Sequence, residues 1–199
     1  MINDKKAISS LITNNFLGEA LNCHFYINKK NPKIKHYLFT IGKLKIENIK
    51  YLKSYKNIIH IPTESLFTKN EYEDLVRRYT PLELSCALRA TCHRYIFEKT
   101  SIQQWLMIDT DIVIMGSLDE IFNEFMNYQI FLISHNSNPS NEIDIIRNGE
   151  LNFLKYGLYN GGVLGFKRGE SSHKAILWLE NRLLNFSENS GRRLLDNIK

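Results

Sequence analysis

Three absences narrow the class of protein that this chain of 199 residues can be. Its three cysteines share no C-x-x-C spacing, which argues against a disulfide framework or a structural zinc site and predicts reduced thiols in the core. No apolar run approaches the roughly 20 residues of a membrane-spanning helix. The apolar stretch near the amino terminus is too short for a secretion signal. The cytoplasm is therefore the expected location.

A surplus of basic residues gives the chain a formal net charge of +5. Such a charge favours anionic partners, among them phosphates, nucleic acid and acidic membrane surfaces. No zinc-finger or ribonucleoprotein-like pattern accompanies the aromatic residues, so we expect no nucleic-acid partner. The basic stretch 43–56 leaves two interpretations open. It could contact anionic lipid at the membrane periphery, or, as its spacing favours, form one solvated face of a helix.

Apolar strand-like segments alternate with helix-like segments along the chain. The predicted strands are 7–13, 36–41, 57–61, 104–108, 130–133 and 159–166. Strands that alternate with helices are typical of a parallel sheet with helices on both faces. We therefore predict one domain over residues 1–199, of class α/β, with a three-layer α/β/α architecture and a mainly parallel sheet.

Helix signals support this alternation. Thr80, Pro81 and Glu83 combine an N-cap hydroxyl, a proline at the first helical position and a capping-box carboxylate, which predicts a helix start. The polar stretch 135–150 is predicted to be a mobile loop. Apolar spacing predicts core-facing residues in three helices: Leu17, Leu21 and Phe25 in the first, Leu84, Leu88 and Cys92 in the second, and Ile176, Leu179, Leu183 and Phe186 in the last.

An acidic pair interrupts the apolar segment WLMIDTDIVIM at 105–115. In an extended chain, Asp109 and Asp111 point to the same side. Two buried carboxylates repel each other unless a cation neutralises them, so a divalent metal or a strong cationic partner is the economical explanation. Carboxylate oxygens suit Mg²⁺ or Mn²⁺, with diphosphate oxygens completing the coordination. The competing interpretation is an acidic pair that ends a strand in a solvated turn.

This arrangement resembles the nucleotide-diphospho-sugar transferases of the GT-A fold, especially bacterial glycosyltransferases with a short catalytic core. In that family an apolar strand ends in D-x-D, and a small turn leads to a segment like SLDEIF at 117–122. The resemblance covers most of the chain and implies a three-layer α/β/α nucleotide-binding fold of the GT-A, Rossmann-like kind with a mainly parallel sheet. It implies transfer of a sugar, in hexosyltransferase fashion, from a nucleotide-diphospho-sugar to a glycan, lipid or protein acceptor. It also implies that Mn²⁺ or Mg²⁺ is held by Asp109 and Asp111.

The same resemblance assigns the first loop to the nucleoside. ITNNFL at 12–17 is similar to the family's nucleoside-binding loop, which implies that Thr13, Asn15 and Phe16 contact the base and ribose. Phe16 would pack on the base. The structural alternative for Phe16 is a hydrophobic staple for the helix behind it. Many relatives have an aspartate in this loop where this chain has Thr13, so the preferred base stays open.

A cationic element precedes the aspartates by about twenty residues. The A-L-R sequence at 87–89 looks like a family element whose cation reaches the diphosphate, which assigns Arg89 to the donor. Its alternative role is a surface ion pair with Glu83 or Asp74.

The sequence YNGGVLGFK at 159–167 resembles the family strand that touches the donor sugar. The resemblance assigns that contact to Asn160 and Gly161, whereas the alternative is close backbone packing by the glycines at 161, 162 and 165. The D-Q or H-x-x-G-x-K element that follows in relatives has no counterpart here. We therefore expect the domain to lack its carboxyl-terminal part, and no catalytic base or nucleophile is assigned.

Two other functions stay open. Asp109-Thr-Asp111-Ile-Val113 also fits D-x-D-x-[TV], the nucleophile strand of haloacid-dehalogenase-like phosphatases, where Asp109 would attack phosphorus. In that family the motif lies near the amino terminus, unlike here. The second alternative is a non-catalytic module that binds a nucleotide sugar.

Overall fold

The computed structural model describes residues 5–136, 140–150 and 157–187. Within them lie six strands, seven helices and three short helical turns. The strands are β1 (Lys6–Thr13), β2 (Lys35–Ile41), β3 (Ile58–Pro62), β4 (Gln104–Ile108), β5 (Ile130–Ser134) and β6 (Tyr159–Lys167). The helices are α1 (Leu17–Lys30), α2 (Ile46–Leu52), α3 (Lys69–Arg78), α4 (Pro81–Lys99), α5 (Asp119–Glu124), α6 (Ile143–Ile145) and α7 (Glu170–Phe186). The turns are Asn14–Phe16, Thr63–Leu66 and Ile146–Glu150.

The strands form one sheet in the order β3-β2-β1-β4-β6-β5. The four strands from β3 to β4 are parallel, whereas β6 is antiparallel to both of its neighbours. This arrangement confirms the predicted α/β class and mainly parallel sheet. The reversed strand has a consequence for the site: the amino-terminal end of β6 lies at the edge where β1 and β4 end.

Side chains that alternate along the strands bury both faces of the sheet. Ala7 belongs to a core cluster with residues of α4 and α7, whereas its neighbour Ile8 belongs to a cluster with residues of α1 and α5. Farther along β1, Ile12 packs with residues of α1 and α2. The helices therefore cover both faces, as the three-layer prediction requires.

Helix α4 begins where the sequence signals predict. Thr80 and Glu83 form a complete capping box, and Pro81 occupies the first helical turn. Leu84, Leu88 and the other predicted core residues of this helix are buried. The buried stripe fixes the rotation of α4, so Arg89 lies beside this stripe and points to the carboxyl-terminal edge of β4.

Three predicted core positions are wrong. Phe25 and Phe186 are 56% and 67% exposed, and Cys86 is exposed rather than a core thiol. In α1 the face against the sheet is formed by Ala20, Cys23, His24 and Ile27, which the four-residue apolar spacing did not identify. The small Ala20 and Cys23 permit close approach to the sheet, and this contact determines which face is buried.

The polar stretch 135–150 also differs from the prediction of a loop. Its described part includes α6 and the turn Ile146–Glu150, whereas 137–139 lie outside the described residues. Residues 188–199 also lie outside the described residues. The expectation that the domain lacks its carboxyl-terminal part concerns this end of the chain. No helix in the described ranges is long and apolar enough to cross a membrane.

Candidate functional site

A cavity of about 550 Å³ opens at the edge of the sheet where the parallel strands β1 and β4 end. Ligands of open α/β sheets bind outside the carboxyl ends of such strands. Polar residues that line the cavity here include Thr13, Asn15, Asp109 and Asp111. The walls come from the end of β1 and the loop after it, the first turns of α4, and the segment after β4. The lining residues are Leu11, Ile12, Thr13, Asn15, Phe16, Glu19, Pro81, Leu82, Ser85, Asp109, Thr110 and Asp111.

Asp109 and Asp111 both line this cavity, but in a turn rather than in the predicted extended strand. Strand β4 ends at Ile108, and Thr110 and Asp111 form a turn. The side chain of Asp109 is 38% exposed, and Asp111 is exposed. The premise of a buried, unsolvated pair is therefore wrong. The solvated-turn interpretation describes the local backbone, although the carboxylates still open onto one cavity.

Arg89 is the cation that contacts Asp109. Its guanidinium donates one hydrogen bond to Asp109 Oδ1 and another to the carbonyl of Gly161. The surface partners that the sequence suggested have other contacts: Glu83 accepts hydrogen bonds from Thr80, and Asp74 pairs with Arg78. Arg89 therefore joins α4 to the ends of both β4 and β6.

The start of β6 completes this junction. Asp109 N–H donates to the carbonyl of Gly162 at 2.9 Å, and Gly162 N–H donates to Asn160 Oδ1 at 2.5 Å. A Cβ at Gly162 would lie 2.8 Å from Asn160 Oδ1 and 3.2 Å from Asp109 Oδ2. A side chain at 162 would therefore displace the aspartate or the asparagine. At Gly161, by contrast, a Cβ would meet nothing within 4 Å.

The predicted nucleoside residues lie on one wall of the 550 Å³ cavity. Thr13 ends β1, and Asn15 and Phe16 belong to the turn that leads into α1. Phe16 is 51% exposed, so its ring is not buried as a staple for α1. It is available to a ligand.

The first turns of α4 supply lining residues that the sequence analysis missed. Pro81, Leu82 and Ser85 line the cavity opposite the loop after β1. Pro81 was identified only as a helix-start signal. Leu82 is 75% exposed, and an apolar residue at a solvent-facing helix start was the signal that could have identified this wall.

A second cavity, of about 760 Å³, lies on the other side of Asp109. Arg89, Asp109, Asn160 and Gly161 form its polar rim. Most of the remaining wall is apolar and comes from β5, β6 and α7: Ile130, Leu132, Leu164, Phe166, Ala175, Trp178, Leu179 and Leu183.

The buried side chain of His93 joins α4 to β4. His93 Nδ1 accepts a hydrogen bond from Trp105 Nε1 at 2.9 Å. Burial, and secondly the positive charge of Arg89, lower the pKa of His93 to about 3. The ring is therefore neutral at physiological pH, as its acceptor role requires. This contact holds the helix that carries Arg89 against the strand that ends just before Asp109.

The chemistry of the acidic pair fits a divalent cation only with help from a ligand. Asp109 and Asp111 offer hard oxygens, which Mg²⁺ and Mn²⁺ prefer. No group of three or more His, Cys, Asp or Glu residues in the described part of the chain is placed to hold a metal. Diphosphate oxygens and water would therefore have to supply most of the six oxygens that such an ion needs.

Solved structures that superpose on this chain include glycosyltransferases. The galactosyltransferase LgtC, in complex with donor and acceptor sugar analogues, superposes with a TM-score of 0.59 at 15% identity over 90% of this chain and 64% of its own. GlyE of Streptococcus pneumoniae TIGR4 gives 0.58 at 12% identity over 96% and 40%. The mannosyltransferase Ktr4p of S. cerevisiae gives 0.53 at 10% identity over 92% and 62%. The sequence matches no protein-family model and no curated protein.

These likenesses establish that the chain has the GT-A fold of the nucleotide-sugar transferases, as the sequence resemblance implied. At this level of identity they establish the fold alone. The chain spans 64% of the length of LgtC and 40% of the length of GlyE.

Proposed function

We propose that this chain is the donor-binding part of a metal-dependent glycosyltransferase that takes a sugar from a nucleotide-diphospho-sugar. One observation carries the proposal. Asp109, Arg89 and the start of β6 meet at the carboxyl edge of the sheet, beside the cavity lined by Thr13, Asn15 and Phe16. The polar groups thus stand in the order that a nucleotide sugar would require.

The residues have separate roles in this proposal. Phe16 stacks on the base, while Thr13 and Asn15 bind the base and ribose. Asp109 and Asp111 hold Mn²⁺ or Mg²⁺, which supplies Lewis-acid stabilisation of the diphosphate when bound.

Arg89 and the start of β6 act at the other end of the donor. The fixed fork of the Arg89 guanidinium suits diphosphate oxygens. It stabilises the negative charge that develops as the diphosphate leaves, and such electrostatic stabilisation is usually the largest single catalytic contribution. Asn160 and Gly161 contact the sugar. The acceptor is a glycan, lipid or protein hydroxyl presented at the rim.

We also expect the enzyme to work in the cytoplasm, since all three cysteines are free. Peripheral contact with a membrane would involve the exposed lysines of the 43–56 stretch.

Calorimetry with a nucleoside diphosphate, with and without Mn²⁺, tests the binding half of the proposal. We expect binding that depends on Mn²⁺ and weakens in Asp111→Asn without loss of stability. Asp74→Asn is the matched control, because Asp74 lies on the surface of α3 and lines neither cavity beside Asp109. Equal affinity of Asp111→Asn and the parent in Mn²⁺ would refute the metal role.

Product analysis distinguishes the alternatives. Release of a nucleoside diphosphate together with transfer of the sugar is expected of a glycosyltransferase. Release of inorganic phosphate from a phosphomonoester would instead support the phosphatase. Binding without turnover would support a non-catalytic module.

A further inference from the structure

A small basic cavity of about 230 Å³ adjoins the wall of the 550 Å³ cavity that Thr13, Asn15 and Phe16 form. It is lined by Asn14, Asn15, Lys43, Lys45 and Asn48. Asn15 also lines the 550 Å³ cavity, so this residue stands between the two. The donor-binding roles assigned above do not use these two lysines, which belong to the basic stretch 43–56.

The fold explains why the lysines reach this position. Strands β1 and β2 are parallel neighbours in register, with Thr13 opposite Ile41, so the loops that follow them lie side by side. Gly42 turns the chain with a φ of +79°, a conformation that favours glycine. Leu44 is then buried against Ile12 and neighbouring residues of α1 and α2, which anchors the loop between two exposed lysines.

The position in the sheet separates these lysines from the diphosphate. In the order β2-β1-β4, the loop with Lys43 and the turn with Asp109 lie on opposite sides of β1. Two strand spacings amount to about 10 Å. A nucleotide whose diphosphate lies at Asp109 and whose base stacks on Phe16 therefore has the edge of its base toward the loop after β2.

Hydrogen-bond donors dominate the basic cavity. Lysine has three donors and no acceptor, whereas an asparagine amide has both. Lys43 has no ion pair within the described ranges, and Lys45 lies 3.9 Å from Glu47 with both side chains more than 70% exposed, which makes a weak pair. None of the five lining residues is acidic. The first acidic residues after the two loops are Glu19 in α1 and Glu47 in α2, and Glu19 lines the neighbouring 550 Å³ cavity.

We propose that Lys43, with Asn15, reads a carbonyl oxygen on the nucleobase, so that the site selects keto bases over amino bases. This inference rests on the proposed function. Uracil has a carbonyl oxygen, O4, at the position where cytosine has an amino group. Guanine likewise has a carbonyl oxygen, O6, where adenine has an amino group. A lysine ammonium donates to the carbonyl but opposes the amino group with like donors.

Calorimetry in Mn²⁺ with UDP, CDP, GDP and ADP tests this inference. We expect UDP to bind about tenfold or more tightly than CDP, a factor that one charge-assisted hydrogen bond supplies. GDP should likewise bind more tightly than ADP. In Lys43→Gln the UDP preference should fall to about threefold or less, because the amide can serve either base. Lys50→Gln on the exposed side of α2 is the matched control and should keep the full preference.

The outcomes separate this inference from the function beneath it. Equal affinity for UDP and CDP, or a preference that survives in Lys43→Gln, would overturn the base assignment and leave donor binding intact. Failure of all four nucleotides to bind would overturn the proposed function itself, and the base assignment with it.

Discussion

The two flanks of Asp109 have different walls. On the side of β1 and α1, the cavity combines the exposed ring of Phe16 with the polar groups of Thr13 and Asn15. On the side of β6 and α7, the larger cavity is mostly apolar, and Trp178 is 61% exposed on its wall. Its polar groups lie mainly around Asp109, the residue that lines both cavities.

This contrast indicates where the chemistry is concentrated. The first cavity has the mixed lining of a small-molecule site, in which apolar contacts are combined with a few polar groups that fix orientation. The second cavity has such polar groups mainly where Asp109, Arg89 and Gly161 meet. Substitutions around Asp109 should therefore affect ligand binding, whereas substitution of a buried residue in the wall of the second cavity, such as Phe166, should affect mainly stability.

Two arginines of α4 give the strongest test of this contrast. Arg89→Ala should weaken nucleoside diphosphate binding by about 1.5–3 kcal/mol, the range for hydrogen bonds to charged groups. Lysine at this position should restore only part of the affinity, because it lacks the guanidinium fork. Calorimetry in Mn²⁺ measures both effects.

The matched control is Arg94→Ala on the same helix. Arg94 donates through Nε to both carboxylate oxygens of Glu180, at 2.9 and 2.7 Å, and does not line either cavity at Asp109. Its loss should lower the urea midpoint and leave nucleotide affinity unchanged. If Arg89→Ala also binds normally but unfolds earlier, Arg89 has a structural role and its assignment to the donor is wrong.

Glycines of β6 sharpen the contrast within one strand. A Cβ at Gly165 would lie 2.5 Å from Leu106 Cδ2 and 2.7 Å from Phe125 Cζ, so Gly165→Ala should cost about 1–3 kcal/mol of stability through overpacking. Gly162→Ala should instead weaken donor binding, because its Cβ would displace Asn160 or Asp109. Gly116→Ala is the control for the added methyl group, because its Cβ would meet nothing within 4 Å and Gly116 lines neither cavity at Asp109. Denaturation and calorimetry on all three variants would contradict the prediction if Gly162→Ala bound donor as well as the parent.

The reversed strand β6 explains how much of the site could be predicted from the sequence. Local signals were sufficient for the start of α4 and for the buried strands, since capping residues and apolar runs act over a few residues. The family resemblance assigned Asn160 and Gly161 to the donor sugar, and this assignment stays a prediction. Apolar spacing alone did not reveal that β6 runs antiparallel, which is what brings these residues to Asp109.

Long-range contacts account for the errors. The turn at Asp111 follows from the end of the β4 ladder, a feature that a run of apolar residues on both sides concealed. Phe25 was predicted to be buried from helical spacing, but contact with the sheet determines which face of α1 is covered. Spacing also gave no warning that Cys86, one turn before Arg89, lies on a cavity wall.

Acid should lower the free energy of unfolding through protonation of His93, the residue that joins α4 to β4. Its pKa is about 3 in the folded protein and 6.5 in the unfolded chain, so between these values the unfolded chain binds more protons. Stability is therefore fully present above pH 6.5 and falls as the pH decreases, by up to about 1.4 kcal/mol per pH unit for this group. Urea midpoints at pH 7.5, 6 and 5 measure the slope.

The control for this effect is His93→Gln, whose amide oxygen can still accept the Trp105 N–H. Burial also lowers the pKa of His24 and of His36, the latter to about 3, so the parent slope includes their contributions. The difference between parent and variant isolates His93. An unchanged slope in His93→Gln would contradict the assignment.

The smallest expected effect is on thiol reactivity, and it probes the second flank directly. Burial raises the pKa of Cys23 to about 11 and also raises that of Cys92, whereas Cys86 is exposed. Because the thiolate is the reactive form, only Cys86 should react rapidly with a disulfide reagent in the folded protein.

Cys86 lines the apolar cavity beside Arg89 but not the 550 Å³ cavity. A nucleoside diphosphate with Mn²⁺ should therefore leave its rate nearly unchanged, while a nucleotide sugar, whose sugar extends past the rim, should slow it. Cys86→Ser removes the rapid phase and serves as the control. Equal protection by the diphosphate alone and by the nucleotide sugar would mean that the two flanks of Asp109 are not separate subsites.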